Sequence, residues 1–325
     1  MLKAAIYILT QNKTDRKIYL KSTLYFLFKN FNSKYKYPVI ILHEGDFDDD
    51  AKNEILTSIR LECTNLVSFQ ELDKEDFQIP KHIDIDKMNK LIDLNPVPYW
   101  RNVKYRIMCN FWVNHFFKYC KQYEYVMRLD DDSIIEEPIK IDLFNLMKEK
   151  DLNYISNILH LDCGICNYEM NDFFSNIIPE KKELINKSFA NVTVYDSDKN
   201  FDSIKKLHEL LKNEKYTKNS IDVYMPVMYY NNFFITKNSI WNDSNIKKII
   251  KEIDKKGYIF YCRWGDAPLH TMIMKLYDST KIGKYNFKYS KRLQRESFKD
   301  INGNYHRYMP EKYNSDSCLT KNIKK

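Results

Sequence analysis

Short apolar runs alternate along this chain with segments of helical period. Residues 4–10 form the first run, and 15–31 follows with Leu20, Leu24, Leu27 and Phe28 on one helical face. The run 37–42 predicts a second strand, 50–59 a helix and 66–69 a third strand. That β-α-β-α-β alternation calls for a parallel sheet with helices on its faces. Residues 101–118 carry Tyr105, Met108, Cys109, Phe111, Trp112 and Phe116 at helical spacing, ahead of a strand over 123–129. Pro138 then reads as the head of a helix, and 154–158 as another strand. Residues 159–220 are polar and weakly periodic except at 204–211, and read as a variable excursion that helps shape an acceptor pocket. Beyond it come a strand over 231–235, a helix over 239–255 stopped by Gly257, a short strand over 258–261 and a helix reaching residue 277.

Neither an internal repeat nor a low-complexity linker interrupts this order, so the 325 residues read as one domain. Its halves are 1–158 and 221–325, with the excursion between them. A hydrophobic fraction of 44% with 15% aromatic residues excludes wholesale disorder. The net charge of +8 is spread over scattered lysines interleaved with acids, which argues against a nucleic-acid partner and fits a phosphorylated ligand or an anionic surface equally well. Seven cysteines do not make a disulfide framework, and Cys163-Gly164-Ile165-Cys166 reads as an incidental pair or a local disulfide. The first apolar run is too short for an anchor and no other reaches transmembrane length, so a cytoplasmic location is expected. A Golgi-lumenal one is the alternative if an anchor precedes these residues.

The chemistry concentrates where Tyr123-Glu124-Tyr125-Val126-Met127-Arg128-Leu129 runs into Asp130-Asp131-Asp132. The acids sit at the end of a predicted buried strand, where open α/β sheets bind ligands. Alone, such a triplet also suits a solvated turn. At a sheet edge, adjacent carboxylates repel unless a cation joins them, and Mn²⁺ or Mg²⁺ bridging carboxylates to a substrate diphosphate would do so. A second group, Tyr261-Cys262-Arg263-Trp264-Gly265-Asp266-Ala267-Pro268-Leu269-His270, offers a cation, a flat apolar face and an acid ahead of a helix. Asp266 there reads equally as a helix cap.

These two blocks, with Phe31-Asn32-Ser33-Lys34-Tyr35-Lys36-Tyr37-Pro38 and Val103-Lys104-Tyr105-Arg106-Ile107-Met108-Cys109, resemble the fungal-type alpha-1,2-mannosyltransferases, the glycolipid 2-alpha-mannosyltransferase family (glycosyltransferase family 15). The resemblance implies a GT-A-type nucleotide-diphospho-sugar transferase fold, α/β with a mixed, mostly parallel central sheet. It further implies a GDP-mannose donor, an oligosaccharide, glycoprotein or glycolipid acceptor, a Mn²⁺ ion and retention at the anomeric carbon. On the matching positions, Asp130 and Asp132 are expected at the metal, and Tyr105 and Asp266 at catalysis, Asp266 as the base. Arg106, Asp130, Arg263 and Trp264 are expected at the donor.

Two departures qualify the likeness. The family has a candidate nucleophilic Glu where this chain reads Asn232-Phe233-Phe234-Ile235, which removes double displacement through that position and favours a front-face route. The family's metal-binding His corresponds to Lys288-Tyr289-Ser290, without His; His306 would serve if the residues between are an insertion. The same fold with another nucleotide-sugar donor, donor hydrolysis, and a carbohydrate-binding or assembly protein without turnover are the competing readings.

Overall fold

The computed structural model describes residues 2–291, together with the backbone of the strand pair Phe298–Lys299 and Tyr305–His306. In chain order the strands before the excursion are β1 (Ala4–Leu9), β2 (Val39–His43), β3 (Val67–Glu71), β4 (Tyr125–Leu129), β5 (Ser133–Ile135) and β6 (Tyr154–Ser156). The remainder are β7 (Leu159–Leu161), β8 (Phe189–Tyr195), β9 (Ser220–Tyr229), β10 (Phe233–Lys237), β11 (Ile282–Lys284) and β12 (Tyr289–Lys291). Seven of them form one sheet in the order β11-β6-β10-β4-β1-β2-β3. The β3-β2-β1-β4 half is parallel, as the alternation requires, whereas β10 runs antiparallel to both β4 and β6. This is the mixed, mostly parallel sheet expected.

Both faces of the sheet are covered, which is why β2 and β4 read as largely apolar without alternation. Alternate residues divide between two cores. Ile6, Ile8, Ile41, Met127 and Ile235 pack against the helix Thr14–Leu27 through Leu20, Leu24 and Leu27. On the opposite face Ala5, Tyr7, Ile40 and Val126 meet Phe111, Trp112 and Phe116. There the expected single helix over 101–118 is a composite: an α-helix at Val103–Asn110, a π turn at Phe111–His115 and a 3₁₀ turn at Phe116–Lys118. The π turn adds a residue per turn and changes which side chains face the sheet, a device frequent near functional sites.

Other expectations shift. Residues 258–261 form a helical turn, Tyr258–Tyr261, because Gly257 at φ 68° caps the helix Ser244–Lys256 and leads straight into it. A four-residue buried run has no periodicity to tell the two apart. The helix near Pro138 begins at Leu143, capped by the Asp142 carboxylate on the N–H groups of Phe144 and Asn145 at 3.0 and 3.3 Å. The excursion is ordered around an antiparallel sheet, β7-β9-β8, flanked by the helices Met170–Ile177 and Phe201–Lys212. Cys163 and Cys166 are not joined to each other, so the local disulfide does not form. Among the described residues no helix is long and apolar enough to cross a membrane.

Ile235 is fully buried at the centre of the sheet, while Leu61 is 82% exposed. Ile235→Ala is expected to lower unfolding stability by about 2–5 kcal/mol in urea titration. Leu61→Ala should leave the midpoint unchanged.

Candidate active site

The acidic triplet leaves the end of β4 in a turn, with the Asp130 N–H donating to Asn232 O at 2.9 Å and the Ser133 N–H to Asp130 O at 3.0 Å. Each acid meets a protein cation. Asp131 accepts from Arg16 through both carboxylate oxygens, one contact being Nε at 2.9 Å, and from the Thr10 hydroxyl at 2.7 Å. The Thr23 hydroxyl donates to its carbonyl at 2.8 Å, so the middle acid is a structural anchor to the first helix. Asp130 accepts from Arg128 Nε at 2.9 Å and lies 3.2 Å from the Lys291 ammonium. Asp132 is 2% exposed and stands between Arg16 Nη1 at 3.6 Å and Lys291 Nζ at 3.5 Å. The mutual repulsion of the triplet is thus offset from within the chain.

Arg128 links this turn to the second block. It is 2% exposed and lies over Trp112, its guanidinium carbon 3.8 Å from the ring centroid. It donates from Nε to Asp130 and from Nη1 to Asp266. Burial opposes its charge, but Asp130 and Asp266 more than compensate and hold it above the ordinary guanidinium value. Asp266 opens the helix Asp266–Asp278 and also accepts from Asn231 Nδ2 at 2.9 Å and the Cys109 thiol at 3.3 Å. Burial pushes its pKa up, but Arg128 prevails and the carboxyl is held below the usual range. A carboxylate so held and so fully bonded is a weak proton acceptor, so Asp266 has the geometry of a positioning residue and not of the expected base. It does not cap the helix, which Gly265 precedes without a side-chain bond.

The other expected residues separate into two groups. Tyr105 is half-buried on the helix Val103–Asn110, with Arg101 and Arg263 stacked on its ring at 5.7 and 5.6 Å. Burial raises its phenol well above its ordinary pKa, which keeps the hydroxyl protonated and able to donate. Arg263 sits in the left-handed region at φ 66°, a strained backbone for a side chain, and is fixed by Asp162 of the excursion at 3.1 and 3.0 Å. Arg106 and Trp264, by contrast, belong to the core. Arg106 is fully buried and donates to the carbonyls of Phe260, Trp100 and Arg101 at 2.6, 3.0 and 3.4 Å. Trp264 is fully buried between Phe173 and Tyr258, its indole N–H on Tyr168 O at 3.0 Å, with no face left for a ligand. His270 is buried against Trp241 and Phe117, and burial lowers its pKa to about 4.

Phe234 lies opposite Arg128 in the β10–β4 register, stacked on Tyr154 at 5.3 Å and edge-on to His270 at 5.6 Å. No carboxylate takes its place in that packing. For the expected Mn²⁺, the donor set on the described residues does not fit. Asp131 is bound up with Arg16 and Thr10, an ammonium stands between Asp130 and Asp132, and no cluster of three His, Cys, Asp or Glu side chains occurs among the described residues. The side chain of His306 lies outside the described residues.

Arg16, Lys291, Asn231 and Asp162 had no local sequence signal; strand register and loop packing bring them in from 35 to 161 positions away. Arg128 did have one, because a charge in the middle of an apolar strand must find buried partners.

A family model described as glycolipid 2-alpha-mannosyltransferase matches residues 1–314. An O-glycoside alpha-1,2-mannosyltransferase of Schizosaccharomyces pombe is 28% identical over 292 residues, covering 88% of this chain and 67% of that protein. Glycolipid 2-alpha-mannosyltransferase 1 of Candida albicans is 25% identical over 262 residues, covering 76% and 52%. The chain therefore spans about half to two thirds of the length of these relatives. Two solved structures share the GT-A fold. Core-mannan synthase A from Aspergillus fumigatus, a Mn/GDP form, has a TM-score of 0.70 at 20% identity over 89% of this chain and 74% of that one. The mannosyltransferase Ktr4p from S. cerevisiae, in complex with GDP, has a TM-score of 0.71 at 20% identity over 90% and 72%.

Removing one side of the buried pair should be costly. Asp266→Ala strands the Arg128 charge and is expected to lower stability by about 3–5 kcal/mol. Because the folded carboxyl titrates below its unfolded value, its stabilisation is complete above about pH 4 and disappears as pH falls through the folded pKa. The urea midpoint of Asp266→Asn should accordingly fall less steeply with acid than that of the native chain.

Proposed function

The chain belongs to the glycolipid 2-alpha-mannosyltransferase family, and on that premise we propose that it is a retaining glycosyltransferase moving mannose from GDP-mannose to a hydroxyl of a sugar acceptor. The observation that carries this reading is the charged rim beyond β4, where Asp130 to Asp132 are ringed by Arg16, Arg128 and Lys291 at the carboxyl edge of the sheet. The names of its relatives, alpha-1,2-mannosyltransferases, and the GDP bound in one solved neighbour support the donor and the linkage.

In the reaction proposed, the bond from mannose C1 to the β-phosphate oxygen breaks and a bond from C1 to the acceptor oxygen forms on the same face. The acceptor proton passes to the departing phosphate oxygen. With Phe234 packed where a nucleophile would stand, this front-face route asks for no covalent intermediate on the protein. Tyr105 donates from its protonated hydroxyl to the leaving phosphate or the sugar, and Arg263 above its ring adds positive charge. Asp266 serves by holding Arg128, which in turn fixes Asp130.

The test is incubation of the full chain with radiolabelled GDP-mannose and mannoside acceptors, with UDP-glucose and UDP-GlcNAc as control donors. An alpha-linked mannosyl product, assigned by NMR, is expected from GDP-mannose only. Transfer from a UDP-sugar instead would keep the fold and replace the donor. Tyr105→Phe is expected to lower kcat by about ten- to a hundredfold at unchanged Tm, the loss of one hydrogen bond to a developing charge.

A further inference from the structure

The counter-charge for a nucleoside diphosphate is built into this chain. β12 pairs antiparallel with β5, placing Lys291 opposite Ser133, directly after the acidic triplet. Its ammonium bridges Asp130 Oδ2 at 3.2 Å and Asp132 Oδ1 at 3.5 Å, the two carboxylates that the family resemblance gives to the metal. The same stretch, Lys288-Tyr289-Ser290, is where that resemblance expects a metal-binding His and this chain has none. Among the described residues no His stands at that stretch, and a cation arrives there.

Two further features hold the ammonium there. Tyr289, next to it on β12, is anchored by its hydroxyl to Ser133 at 2.6 Å, which locks the strand register. Asp130 and Asp132 flank the ammonium at 3.2 and 3.5 Å, and two carboxylates at that range hold it in place. A divalent ion seated between the same two carboxylates would be forced against this fixed positive charge at a few ångströms, where like charges repel strongly. Lys291 is nevertheless 24% exposed and Asp130 18%, so the bridge has a solvent-facing side. With one N–H donated to Asp130 Oδ2 and Asp132 held as an ion pair, the ammonium keeps N–H groups to offer a phosphate oxygen.

We infer that Lys291 is the diphosphate-binding cation of this chain, standing where relatives of this fold would hold a divalent ion, so that nucleotide binding does not require metal. The inference rests on the reading that the site takes a nucleoside diphosphate-sugar. In the transfer, Lys291 keeps its proton and donates a hydrogen bond to the phosphate oxygens as the C1–O bond breaks. It supplies charge and not a proton.

The experiment is calorimetric titration of the full chain with GDP, in EDTA and in Mn²⁺, alongside Lys291→Met and Lys291→Arg. For the native chain the Kd is expected to change by less than about twofold between the two media, while Lys291→Met in EDTA weakens binding by about tenfold or more. Mn²⁺ should restore binding to Lys291→Met, and Lys291→Arg should need none. Electron paramagnetic resonance of Mn²⁺ without nucleotide gives an independent readout. The free-ion signal should persist with the native chain and diminish with Lys291→Met. A native chain that takes up Mn²⁺ by itself, or that loses GDP in EDTA, overturns the proposal, and this comparison stands even if the Met variant fails to fold. Binding of a UDP-sugar but not GDP would overturn the donor reading alone, because the Mn²⁺ signal still decides the role of Lys291.

Discussion

A buried guanidinium organises this protein. Arg128 points from the middle of the sheet into a dry space between Trp112, Asp130 and Asp266, and a charge in that position is tolerable only while both acids and the aromatic face remain in place. The constraint reaches far along the chain. It fixes where the turn after β4 must go and how the helix Asp266–Asp278 must dock, and its aromatic face is Trp112, on the π turn Phe111–His115 into which the helix Val103–Asn110 widens. The catalytic edge and the core are therefore one packing problem. Tyr105, on the helix Val103–Asn110, meets Arg263 in the loop that leads into the helix Asp266–Asp278.

Much of the scaffold was legible because the sheet is covered on both sides. Apolar runs at 4–9 and 39–42, and one at 125–129 interrupted only by Arg128, can hardly be anything but interior strands, and the helix Thr14–Leu27 shows its buried leucines at regular spacing. The excursion was less legible because β8 and β9 are half-exposed. Their alternation, Ile221, Val223 and Met225 against exposed or partly exposed neighbours, is weak beside the polar residues around it and is broken by Pro226. The acids of the site announced themselves, whereas their partners did not. Which cation meets Asp131 or Asp132 depends on the docking of a helix and the register of β12, and neither leaves a trace in the local pattern. Arg106 and Trp264 show the converse: residue types that suit a ligand suit a core equally well once their polar atoms find carbonyls.

Phe234 has a consequence for how this chain could change. Its ring is stacked on Tyr154, edge-on to a His270 that burial keeps neutral, and fully enclosed. A lone carboxylate introduced there would arrive in a space shaped for an apolar ring, facing neighbours that offer it no compensating charge. Arg128 across the strand is already committed to Asp130 and Asp266. An acid at this position would therefore need coordinated changes in its neighbours. The packing closes this site to a carboxylate nucleophile by any single substitution.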